Sequence, residues 1–340
     1  MSVSDDTLPQ EDRRAQIRLI WILGLLLLAF LLSIFLGRYP GPYFTTLDDL
    51  SKDSLARSLV FNLRLPRILM ALITGMVLSA SGTVFQMIFR NPLVDSGFLG
   101  VSAGASFGAS LAIVILGGQT WKIQCCAALF GMLGLAGSYI LGQRIRFGDW
   151  VLRLILAGIA ISAIYTSGTG LLKYLADPLQ KLPELTLWLL GGLWGIAWLD
   201  VMQILPVSIA CLVVLYLLRW RLNLLSMKDE TVFSLGVAAG RERLVLLLAA
   251  VISTAAVVSK TGSIAWVGLI VPHLARRWLG SDAQRSLPGA MLIGGLFVVL
   301  CDDIARTLLP GEIPLGVLFS FIGAAIFLII MLGKDWKVSR

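Results

Sequence analysis

Residues 64–108 read RLPRILMALITGMVLSASGTVFQMIFRNPLVDSGFLGVSAGASFG, and this stretch decides the fold. Residues 68–89 carry no charged side chain over 22 positions, which at about 1.5 Å per helical residue spans about 33 Å, close to the hydrocarbon thickness of a bilayer. Arg90, Asn91 and Pro92 then supply a charge, a turn former and a residue that cannot continue a helix, before a second apolar run opens at Gly97. In that run Gly100, Gly104 and Gly108 recur every four residues, and so do Ser102, Ser106 and Ser110. The two stripes are offset by about 200° around a helix, so a bare face looks one way and a hydroxyl face the other. In lipid, close backbone approach and interhelical hydrogen bonds hold spans together, so the pattern predicts a helix wedged between two neighbours in a polytopic bundle.

Working outward, the composition agrees. Of 340 residues 57% are hydrophobic and only 14% charged, and the mean hydropathy is +0.87, which excludes a soluble two-domain protein. Cys125, Cys126, Cys211 and Cys301 lie in apolar runs without CxxC spacing and read as packing residues rather than a disulfide or zinc framework. The formal charge of +8 is scattered between apolar segments, which argues against a nucleic-acid surface and for a record of topology.

In chain order, residues 1–18 form a polar tail and residues 19–37 a first span without a cleavage signature. Residues 38–67 read as the longest polar connection. Further spans are expected over 121–142, 154–172, 196–218, 244–259, 262–274, 287–301 and 313–333. The piece PELTLWLLGGLWGIAWL at 183–199, broken by Gly191 and Gly192 and carrying Trp188, Trp194 and Trp198, reads as interfacial or re-entrant. Two of the runs are short for a full crossing, which marks broken helices lining a protected path. The sum is an all-α membrane protein of about ten helices, with a permease domain over 19–333, a cytoplasmic segment at 226–243 and a tail at 334–340. With the N-terminus inside, 18 of the 28 lysines and arginines fall on the cytoplasmic side, so both ends are expected there.

No G-x-x-x-x-G-K-[ST] loop occurs, so ATP chemistry belongs to a partner. The acids lie in loops or near span ends, including Asp200, Asp302 and Asp303, which disfavours an ion-coupled carrier. The single histidine, His273, lacks companions for a metal site, and no nucleophile–base pair marks an intramembrane enzyme. Gln86 reads as glue between helices. On the fifth span Ser162, Thr166 and Thr169 lie at helical spacing with Tyr165 beside them, either facing a polar solute or bonding between helices.

The strings RLPR, TGMVLSASGTVFQMIFRNPLVDSGFLGVSAGAS, LWLLGGLWG, SIAWVGLIVPHLARRWLG and DDIARTLLPGEIPLGVLFSFIGAAIF resemble the FecCD family of permeases over residues 64–333. Those are membrane subunits of ATP-driven importers for iron-siderophores, haem and cobalamin in the prokaryotic inner membrane. The chain departs from the family's GPI-F-VGL and GAP-F patterns, with GSIAWVGL and GAAIF. The resemblance implies the type II importer permease fold, ten helices in a subunit that dimerises with a second permease. It further implies two cytoplasmic ATPase subunits holding the ATP and magnesium, with no cofactor in this chain, and a substrate-binding protein docking outside. It places the translocation path along the fifth and tenth helices, here the Ser162, Tyr165, Thr166 and Thr169 face and Ser320.

Two further expectations follow. Residues 226–243 read as two short helices around Gly236 and Gly240, and apolar Val232, Phe233, Leu235 and Val237 suit burial in a partner groove. With Asp229, Glu230 and Arg241, and the family's coupling helices in the same place, they form the expected ATPase dock. Arg64, Arg67 and Arg306 fall on the outer side against the charge rule, and the reading favoured is docking to acidic residues of the binding protein. Pairing of Arg306 with Asp302 or Asp303, or interfacial snorkelling, is the alternative.

Overall fold

The computed structural model describes residues 8–332 except Pro40, Pro42, Ser96, Phe98, Lys228, Val237 and Pro310, and of residues 8–12, 229 and 330–331 the backbone alone. The tail at 334–340 therefore lies outside the described residues, while the expected 1–18 tail gives way to helix from Leu8. Among the described residues the chain is helical throughout, with a single β-bridge between Leu36 and Phe44. Helix α1 (Leu8–Phe35) leads to the short α2 (Leu47–Lys52) and α3 (Ser54–Leu59), then α4 (Leu65–Ile88), α5 (Val101–Val114), α6 (Thr120–Arg144) and α7 (Trp150–Leu175). After these come α8 (Lys181–Leu190), α9 (Trp198–Leu217), α10 (Arg219–Leu225), α11 (Asp229–Ser234), α12 (Ala239–Thr261), α13 (Val267–Leu279), α14 (Ala283–Thr307) and α15 (Leu315–Leu332). Among the described residues seven helices are long and apolar enough to cross a membrane, and the shorter α5, α13 and α15 stand at the places of the remaining expected spans. Below, the end of the bundle where α1 begins is called the near end and its opposite the far end.

α4 is the hub. Its apolar window is 83% buried inside the protein, against 17% for α7. Glycine makes this possible, because a Cβ at Gly75 would fall 2.0 Å from the Gly294 carbonyl oxygen on α14, and one at Gly82 only 1.9 Å from that of Gly268 on α13. The stripe on α5 behaves as its spacing predicts: Cβ atoms at Gly104 and Gly108 would meet the Phe130 and Cys126 carbonyls of α6 at 2.3 and 2.2 Å. Backbone lies directly on backbone there, the contact that replaces hydrophobic association in lipid.

α5 and α13, with 14 and 13 residues, reach only about 20 Å and begin inside the bundle. Gly100, the residue before α5, is left-handed at φ 79° and packs on α6 beside Gly134, while Ser138 donates to the Leu99 carbonyl at 2.8 Å. Pro272 in α13 cannot donate to the Gly268 carbonyl four residues back; Gln86 of α4 reaches across and donates to that oxygen at 3.2 Å and to Leu269 at 3.0 Å. Pro288 likewise frees the Gln284 carbonyl of α14, which accepts from Arg219 at 3.3 Å. The interhelical role expected of Gln86 thus has a specific cause.

Two expected boundaries move. The connection at 38–67 is not wholly irregular, because α3 runs through a π-helical turn, Val60–Arg64, straight into α4. Of residues 54–64 only Ala56 and Val60 are buried, too sparse an apolar stripe to read as a helix. The π turn precedes Pro66, which has no N–H for the ordinary helical bond and would crowd the carbonyl four residues earlier. The piece at 183–199 divides into α8 and an extended turn whose Gly192 amide donates to Thr261 at 2.8 Å.

Candidate functional site

At the far end α1, α4 and α14 converge on an ionic cluster. Arg67 donates through Nε and Nη2 to Asp302 at 2.8–3.1 Å and through Nη1 to both oxygens of Glu312 at 2.8 Å. The Asp302 side chain is 1% exposed, that of Arg67 12% and that of Glu312 39%. Arg306 pairs with Asp303 and donates to the carbonyls of Ser33 on α1 and of Leu36 just beyond it, while the Ser33 hydroxyl donates to Asp303 at 2.5 Å. Arg64 donates to the Thr45 hydroxyl at 2.8 Å and the Tyr39 carbonyl at 3.0 Å, lying so close over Gly37 that a Cβ there would strike its guanidinium. The structure thus brings together the three arginines singled out from the sequence and gives each of them partners within the chain. Arg67 and Arg306 are committed to internal carboxylates, and the pairing of Arg306 with Asp303 is the alternative weighed above. A buried charge must be paired or the fold is penalised by several kcal/mol, roughly 3–5. Glu312 was missed; its signal was an outer loop acid facing an unexplained excess of arginine.

The expected path residues fall on two elements. α7 packs on α5 and α6, through Tyr165 against Phe107 and Phe130, and turns its other side outward. Thr166 is exposed and Ser162 half-buried, but Thr169 is buried and its hydroxyl is spent on the Tyr165 carbonyl at 2.9 Å. Thr169 therefore offers no free hydroxyl to the open stripe, although it lies on the same side of the helix as Ser162. Ser320 on α15 lines a depression of about 590 Å³ walled by Leu189, Leu190, Ser263, Val317 and Phe321. Among the described residues no charged side chain lines it. α15 packs on α13, α14 and α8, so one chain does not set Ser320 against the α7 stripe.

At the near end α10 and α11 lie across the ends of the long helices. Asn223 bonds Asp282 and the Ala283 amide, fixing α10 to α14, and Arg221 pairs with Glu242 of α12. Phe233 is 84% exposed and Leu235 56% exposed, with Glu230 and Arg241 also outward. Val232 instead is fully buried in the chain's own core, because on a helix it faces away from its neighbour Phe233. Gly236, left-handed at φ 71°, ends α11, whereas Gly240 lies inside the first turn of α12, so the segment holds one short helix and the start of a long one. Val237 and the Asp229 side chain lie outside the described residues.

A glycine-seamed bundle with broken helices is the architecture of a membrane transport subunit. The chain belongs to the FecCD transport family, which it matches over residues 25–333, and it is a permease subunit of an ABC transporter. It is 38% identical over 297 residues to the hemin transport system permease HmuU of Yersinia pestis, covering 85% of this chain and 87% of that one. Identity to the molybdate import permease MolB of Haemophilus influenzae is 35% over 310 residues, covering 89% and 91%. A solved inward-facing metal-chelate type ABC transporter matches with TM-score 0.86 and 34% identity, over 93% of this chain and 99% of that one.

Proposed function

We propose that the chain forms half of the translocation path of an importer for a metal chelate, an iron-siderophore, haem or cobalamin. A second permease completes the path, two cytoplasmic ATPase subunits drive it with ATP and magnesium, and an extracytoplasmic binding protein delivers the cargo. The reading sets the near end in the cytoplasm, where lysine and arginine are in excess, and makes this a multi-pass protein of a prokaryotic inner membrane. The outward face of α7, with Thr166, meets the second permease, and Ser162, Tyr165, Thr166 and Ser320 border the path. The far-end face built on Arg64, Arg67 and Arg306 receives the binding protein.

The observation that carries this reading is the exposed apolar pair Phe233 and Leu235 on a short near-end helix, beside Glu230, Gly236 and Arg241. Apolar side chains held in water on a segment tethered by Asn223 and Arg221 suit the groove of a soluble partner. In liposomes carrying the permease, its ATPase and an external binding protein, radiolabelled iron-chelate uptake is expected only with ATP on the ATPase side. Phe233→Asp is expected to abolish uptake and ATPase copurification while the permease still elutes as one species. Uptake driven by an ion gradient without ATP overturns the reading.

A further inference from the structure

We propose that Glu312 occupies, within the chain, the place on Arg67 that an acidic residue of the docking protein takes, so that docking is an exchange of carboxylates. The inference rests on the reading that the far-end face receives a binding protein. The two carboxylates on Arg67 are not equivalent. Asp302, 1% exposed, takes Nε and Nη2 from within the bundle, whereas Glu312, 39% exposed, takes Nη1 from the rim. The Arg67 side chain is itself only 12% exposed, and Glu312 is the more exposed of its two partners. An external carboxylate that reaches Arg67 is therefore expected to enter where Glu312 sits.

Charge counting favours the exchange over simple addition. At Arg67 itself two carboxylates, Asp302 and Glu312, already face one guanidinium. A second carboxylate brought to Nη1 would meet Glu312 as a like charge at close range, while one that replaces it leaves that count unchanged. Release of Glu312 has a mechanical consequence. Its turn, Gly311 to Pro314, is held otherwise by the Ile313 amide donating to Ala305 at 3.1 Å, and it leads directly into α15, whose Ser320 lines the depression. Occupancy of the rim is in this way coupled to the start of the helix beside the proposed path.

The test uses the assembled importer in lipid nanodiscs and the binding protein isolated with it, labelled for fluorescence, over a salt series. Glu312→Gln removes the competing charge at a partly exposed position and keeps the shape. It is expected to bind about two- to fivefold tighter than the native chain, the span of an exposed ion pair. Amide exchange at Ile313 is expected to quicken in the native chain when the binding protein is added, and to be already quick in Glu312→Gln alone. If native binding weakens with salt but Glu312→Gln binds no tighter and Ile313 exchange is unmoved by docking, the exchange is wrong while the docking face stands. If native binding is indifferent to salt, the charged docking face itself is wrong and the exchange falls with it.

Discussion

Replacing Gly75 by alanine should loosen the far end of the protein from two helical turns away. The Cβ would lie 2.0 Å from the Gly294 oxygen, 2.5 Å from its carbon and 2.8 Å from the Gly295 nitrogen, all backbone atoms that no rotamer change can move. Ordinary contact begins at 3.4 Å, so α4 and α14 must separate by roughly 1.4 Å at that point. Arg67 lies eight residues before Gly75 and Asp302 eight after Gly294, so both stand about 12 Å along the same antiparallel seam. A shift of that size carried to the pair stretches a 2.8 Å bond beyond hydrogen-bond reach. Overpacking costs about 1–3 kcal/mol and loss of the buried pair about 3–5, against about 1 kcal/mol gained by removing a glycine from a helix. Destabilisation wins. Thermal unfolding of purified protein in detergent should show a midpoint lower by about 5 °C or more. Gly24→Ala on α1, where a Cβ meets nothing within 4 Å, should leave it unchanged or slightly raised. An unaltered midpoint for Gly75→Ala would refute the claim that this seam sets the helix spacing.

Thr166→Phe, on the outward side of α7, should fold with native stability because no described neighbour occupies that space within the chain, yet reduce uptake at least tenfold; normal uptake in liposomes would assign the stripe to lipid. The far-end loop should respond to acid, because bonds from Thr46 hold Asp49 below the usual carboxylate range, and a bond from Tyr39 does the same for Asp53. A depressed folded-state value means stabilisation that is complete above the unfolded value and lost as pH falls through the folded one. Exchange of the Thr46 and Leu55 amides, which donate to those two carboxylates, should therefore quicken in acid below the ordinary aspartate range, beyond the intrinsic pH dependence of exchange, and no such change would contradict the assignment.

Much of the bundle was legible because its determinants are local. The glycine period at 100, 104 and 108 pointed to a close neighbour, and α6 is that neighbour. Span lengths followed from uncharged runs, and the prolines marked where helices break. What escaped was the pairing of residues far apart in the chain. Nothing local ties Arg67 to Asp302, 235 positions away, whereas the i, i+3 spacing of Asp303 and Arg306 made their pairing readable. The same limit explains Val232: an apolar residue beside a phenylalanine in a polar segment carries no mark of which one turns inward. Thr169 was misplaced because a hydroxyl on an apolar helix can be satisfied by its own preceding turn, which leaves no outward trace in the sequence.

The carbonyl-on-glycine seams of α4 with α13 and α14 leave no slack. Side chains that interdigitate can slide by changing rotamers, but main chain resting on main chain has nothing to re-arrange, and even a methyl group is refused. These three helices behave mechanically as one solid piece, like the frame of a door. Motion is left to the leaves hung on it: α7, which packs mainly on α5 and α6, and α15 with the short α8 beside it. Whatever opens and closes in this protein opens there, and substitutions that stiffen the leaves should slow its cycle more than substitutions of equal size within the frame.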